Sequence, residues 1–206
     1  MRYRMLCFAL LLPCFESSAA ATRTFIVDSK VSSVRVHVGK TGIGSFAGHE
    51  HEIVARSVKG EVAADFADLS QSSVDIIVDA TTLAVVPEGE PEGDAPQVER
   101  AMKDASVLGT DKYPTIRFRS RRVTAGQVSP RSQELAVVGD LSLHGAVRPV
   151  AVLLRLEYAD DALRGTGKLV VKQTDFGIEP TSAAGGLVRV EDEVTVAFNI
   201  VARAAP

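Results

Sequence analysis

GDLSLHGAVRPVAVLLRL, residues 139–156, decides how the rest of the chain is read. Before a short break at Gly145 to Pro149, Leu141 and Leu143 share one side while Asp140, Ser142 and His144 share the other. After it, Val150, Val152, Leu154 and Leu156 alternate with Ala151, Leu153 and Arg155. Period two is the spacing of a strand with one face buried. Gly145 takes turn conformations that a Cβ resists, and Pro149 removes a ladder donor. The stretch predicts a β-hairpin with long arms, turning over residues 145–149, and a domain built as a sheet around it.

The same alternation recurs on both sides. Val34, Val36 and Val38 oppose Ser33, Arg35 and His37. Strand character returns from His51 to Phe66 with a break at Gly60, then at Ser73 to Asp79, where Val74, Ile76 and Val78 share a face. Ile116 and Phe118 oppose Arg117 and Arg119 after Tyr113-Pro114. Leu163 to Gln173 and Val190 to Ala202 complete the set, the latter with Val194, Val196, Phe198 and Ile200 on one face. Gly42, Gly44 and Gly48 punctuate a loop that fits neither a dinucleotide fingerprint nor a phosphate-binding loop.

Residues 87–96, PEGEPEGDAP, break the pattern and predict a solvated acidic loop. One helix of about four turns follows, with Asp94 as its cap, Pro96 in its first turn and Val98, Met102 and Ala105 on one face, ending near Gly109. About eight long alternating strands joined by short turns favour antiparallel pairing, and closing them into a barrel removes two bare edges. Eight strands enclose either packed side chains or one small ligand. Periodicity leaves those two alternatives open.

The N-terminus has a different composition. Arg2 and Arg4 precede an apolar run from Met5 to Cys14, and Ala19-Ala20-Ala21 supplies small residues for cleavage. Residues 1–21 predict a removed secretory signal, and 22–206 one domain in a periplasmic or secreted protein. Both cysteines, Cys7 and Cys14, fall in that segment, so thiol chemistry and disulfides are not expected of the remainder. Removing Arg2, Arg4 and Glu16 takes 23 basic and 26 acidic residues to 21 and 25, a net charge of −4. No basic cluster interleaved with aromatics points to nucleic acid.

The chain resembles the YceI-like family of exported, lipocalin-like proteins. Val27-Asp28-Ser29, Gly44-Ser45-Phe46 and Gly48-His49-Glu50-His51 carry the resemblance, with Tyr113-Pro114-Thr115-Ile116. It is strongest at Gly139 to Gly145 with Arg148-Pro149-Val150, and at Asp175-Phe176-Gly177-Ile178. Asp192-Glu193-Val194 completes it. The resemblance implies a mainly β fold, an eight-stranded antiparallel barrel with one main helix packed against it. It also implies binding of a polyisoprenoid or isoprenoid-quinone-like tail in the barrel, without catalysis or cofactor. Two departures are Phe25, where the family often has Trp, and the acidic run at 87–96.

On that basis the expected lumen residues are Val36, Ile76, Phe118, Leu141, Val152, Leu154, Phe176 and Phe198. His49, His51 and His144 are expected to hold structure or meet a headgroup. The alternative for these histidines is a metal-binding protein or metal-dependent hydrolase, since His49 and His51 share one side of a strand. Ser45 near His49 lacks an oriented acid, and no catalytic set emerges. The expected partners are a long-chain isoprenoid-type lipid and, transiently, membrane enzymes that make or use it. Oligomeric state stays open, a homodimer being one option.

Overall fold

Alternation sends every second side chain of a strand to the same face, and curling the sheet around that face buries the chain's apolar rows together. The computed structural model describes residues 22–42, 50–159, 161–183 and 188–205. The expected signal segment, Ser45 and His49 lie outside the described residues. The described residues form twelve strand segments: β1 (Arg23–Val27), β2 (Ser33–Thr41), β3 (His51–Ala55), β4 (Val58–Ala64), β5 (Ser73–Asp79), β6 (Leu83–Val85), β7 (Thr115–Ser129), β8 (Ser132–Leu143), β9 (Ala146–Ala159), β10 (Ala162–Lys172), β11 (Ser182–Ala183) and β12 (Val188–Ala204). A helix, α1, spans Ala95–Lys103.

All pairings are antiparallel, and the β1–β12 pairing closes the path β1-β4-β5-β7-β8-β9-β10-β12 into an eight-stranded barrel. Three rows of this barrel are interrupted. β1 and β2 lie end to end along β12, with Val27 opposite Ala202 and Val38 opposite Val194. β4 and β3 follow beside them, and β5 and β6 beside those. Local hydrogen bonds explain two of the interruptions. The Asp28 carbonyl accepts from Ser32 N at 3.0 Å, and the Asp79 carboxylate caps a short turn by accepting from Thr81 N at 3.0 Å.

Several expected boundaries shift. The β3–β4 break falls at residues 56–57 and not at Gly60, which sits within β4 opposite Ile76. The β8–β9 turn is two residues long, His144 and Gly145, with φ of 50° and 75°. Two successive positive φ values suit the twist of a tight hairpin. Pro149 therefore lies inside β9, opposite Asp140. The helix covers nine residues, ending where the backbone N–H of Asp104 bonds back to Arg100 and Ala101. Asp94 occupies the cap position in a helical conformation, without a side-chain capping bond. Ala105 falls beyond the helix and is exposed.

One barrel end is closed by aromatics. Phe25 is fully buried, its ring edge-on to Phe66 at 5.9 Å, and Phe66 meets Tyr158 at the same distance. The Arg23 guanidinium lies 5.2 Å above the Phe25 ring. At the opposite end, α1 packs on β6. Among the described residues, no helix is long and apolar enough to cross a membrane.

Candidate functional site: an apolar cavity in the barrel

The inward rows of the strands enclose a cavity of about 380 Å³. This falls within the size range of small-molecule pockets, roughly 300–1,000 Å³. Its wall takes Val34, Val36 and Val38 from β2, Val74, Ile76 and Val78 from β5, Val152, Leu154 and Leu156 from β9, and Val194, Val196 and Phe198 from β12. The helix adds Val98, Ala101 and Met102. Among the described residues, His51, Ser72, Gln173 and Thr181 are the polar side chains on this wall, and no Asp, Glu, Lys or Arg reaches it.

Close approach of aromatic rings to the sheet keeps room inside. The Phe118 ring lies over Gly139, where a Cβ would come within 2.6 Å of Cζ. Phe198 lies over Gly167 in the same way, at 2.7 Å. Glycine at these two strand positions lets each ring flatten against the wall. Gly165 also lines the cavity, and a Cβ there would meet only Leu154 Cδ1, at 4.0 Å.

Of the residues expected in the lumen, Val36, Ile76, Phe118, Leu141, Val152, Leu154 and Phe198 line the cavity. Phe176 does not. It belongs to a short turn after β10 and is buried behind the wall with Val171 and Ile178, flanked by Leu141, Leu143 and Val196, all of which line the cavity. The alternation argument fails there because the residue is not in a strand.

The histidines take separate partners. His144 donates from Nδ1 to the Phe176 carbonyl at 3.3 Å, and its ring meets Tyr113 edge-on at 5.1 Å. This ties the β8–β9 turn to the Phe176 cluster. His51 lines the cavity, and its Nδ1 lies 2.7 Å from Glu90 Oε1. His37, on the outer face, pairs with Glu52 at 2.7 Å. Among the described residues, no group of three or more His, Cys, Asp or Glu side chains is arranged to hold a metal ion.

Glu90 departs from the expectation for the acidic loop. The side chain is only 2% exposed, although its loop neighbours Glu88 and Glu92 face solvent. Composition alone marks this segment as solvated; its spacing carries no signal that one of the three glutamates turns inward.

A closed, antiparallel barrel with a helix at one end and an apolar-lined interior defines the molecule as a lipocalin-like barrel protein. The chain belongs to the YceI-like family, whose domain model matches residues 25–202. It is 26% identical over 176 residues to a UPF0312 protein of Vibrio cholerae, covering 81% of this chain and 83% of that one. A UPF0312 protein of Vibrio campbellii is 24% identical over 149 residues, covering 71% and 68%. Among solved structures, Burkholderia cenocepacia BcnA superposes with a TM-score of 0.64 at 18% identity, covering 85% of this chain and 98% of BcnA. A polyisoprenoid binding domain from Saccharophagus degradans, implicated in plant cell wall breakdown, gives 0.62 at 15% identity, covering 89% and 99%. At these identities the structures speak for the fold.

Proposed function

We propose that this protein is an exported, non-catalytic carrier or reservoir for a polyisoprenoid or quinone-like lipid, whose tail is buried in the barrel. The observation that carries the reading is the cavity wall, apolar except for His51, Ser72, Gln173 and Thr181 and without an Asp, Glu, Lys or Arg side chain among the described residues. Each methylene moved from water into such a site contributes about 0.8 kcal/mol. A tail of several isoprene units therefore offsets an association cost of several kcal/mol without strong polar contacts. The polyisoprenoid binding domain from Saccharophagus degradans shares the fold and supports the ligand class.

Export rests on the sequence of residues 1–21, a basic start, an apolar run and a small-residue cleavage site. A periplasmic or secreted carrier would meet membrane enzymes that make or use the lipid only transiently. Native mass spectrometry of protein purified from its own host, followed by organic extraction, tests the proposal. A co-purifying long-chain isoprenoid lipid is the expected result. Protein that emerges empty and takes up no added prenyl lipid contradicts it.

A further inference from the structure

Glu90 stands between two compartments. Its Oε1 lies 2.7 Å from Nδ1 of His51, which lines the apolar cavity. The Glu90 side chain itself lines a neighbouring, more polar recess together with Arg56, Glu92, Glu99 and Arg100. Glu99 is engaged there with Lys103 Nζ at 2.7 Å and the Val85 amide at 3.3 Å. Arg56 and Arg100 are exposed. Glu90 Oε2, by contrast, is buried and has no hydrogen-bond partner among the described residues. Buried polar atoms are nearly always satisfied, so an orphaned carboxyl oxygen one hydrogen bond behind the cavity wall, on the side of the neighbouring recess, asks for a donor.

We infer that Glu90, held by His51, selects the lipid's polar end: Oε2 accepts a hydrogen bond from a neutral, donor-bearing headgroup such as a hydroxyl, phenol or primary amide, and disfavours a phosphate. This inference rests on the tail-burial reading above. With His51 Nδ1 donating to Oε1, both carboxyl oxygens act as acceptors. A hydroxyl at the end of a buried tail supplies the missing proton. A phosphate dianion has none to give, and at Oε2 itself it meets an acceptor where it needs a donor, whatever Arg56 and Arg100 offer at the exposed side of the recess. A site built to bond a hydroxyl rejects an analogue that leaves its acceptor unsatisfied far more strongly than an apolar wall can.

The test compares two probes with one tail, geranylgeraniol and geranylgeranyl phosphate, by competitive displacement of a fluorescent lipid from the full chain. The wild-type protein is expected to bind the alcohol at least about tenfold more tightly, and Glu90→Gln and Glu90→Leu to shrink that ratio about tenfold. Equal or tighter binding of the phosphate by wild-type protein overturns the headgroup inference and leaves tail burial standing. So does a ratio unchanged in both variants. Binding of neither probe overturns both. Should the variants fail to fold, the wild-type comparison alone decides.

Discussion

The Tyr113 ring packs against the backbone of Gly145 so closely that a Cβ on the glycine would lie 2.5 Å from Cε1. Gly145 is also at a φ of 75°. Sequence order separates these residues by the whole β7–β8 hairpin, yet together they fix the turn on which β8 and β9 hang. Gly145→Ala is expected to lose about 2–4 kcal/mol, adding a steric clash to left-handed strain. Gly177→Ala, at a φ of 73° with nothing within 4 Å of its Cβ, should lose only about 1 kcal/mol. Urea denaturation of the two variants reads the difference directly.

Asp75 crosses from β5 to β7 on the outer face, where it binds Arg117 through both its oxygens and Arg119 at 3.1 Å. The Arg117 hydrogen bond, aided by Arg119, holds its carboxyl below the usual value of 3.8. A depressed carboxylate pKa means the unfolded chain binds the proton first, so stability rises with pH across this range. The contribution is complete above about pH 5 and is lost as the pH falls below 3.8 through the folded-state value. Asp75→Asn should therefore cost about 1–2 kcal/mol at pH 7, the arginines being part-exposed. The gap between variant and wild type should close as denaturation curves are taken to lower pH.

Phe176 and Phe198 should separate stability from binding. Phe176 is 2% exposed in its own cluster, so Phe176→Ala is expected to lose about 3–5 kcal/mol. Phe176 supports wall residues without lining the cavity itself, so the fraction that remains folded should change its affinity for prenyl lipid less than Phe198→Ala does. Phe198→Ala, on the cavity wall, should lose less stability and alter affinity. Paired denaturation and lipid titration measure both quantities for each variant.

Much of the barrel is legible because period two survives in any long strand with one wet face. Val36, Ile76, Val152 and Phe198 can be placed inward from alternation alone. The limits appear where local spacing stops mattering. Phe176 is buried by a turn that packs on neighbouring strands, and turns have no period. Pro149 falls inside β9 because its missing donor is tolerated there, opposite Asp140. The inward turn of Glu90 depends on His51, 39 residues earlier, and such a pairing leaves no mark on the composition of the acidic loop.

On the proposed reading, the barrel works by keeping its lumen open to a tail. Gly165 offers the most direct test, because its Cβ position is open and faces the cavity. Gly165→Phe should fill the lumen while keeping the fold. Native mass spectrometry of wild-type and Gly165→Phe protein, each mixed with geranylgeraniol, should show one lipid bound to the wild type and none to the variant. Equal lipid occupancy of both would contradict the account, because the lipid would then be held somewhere other than the barrel interior.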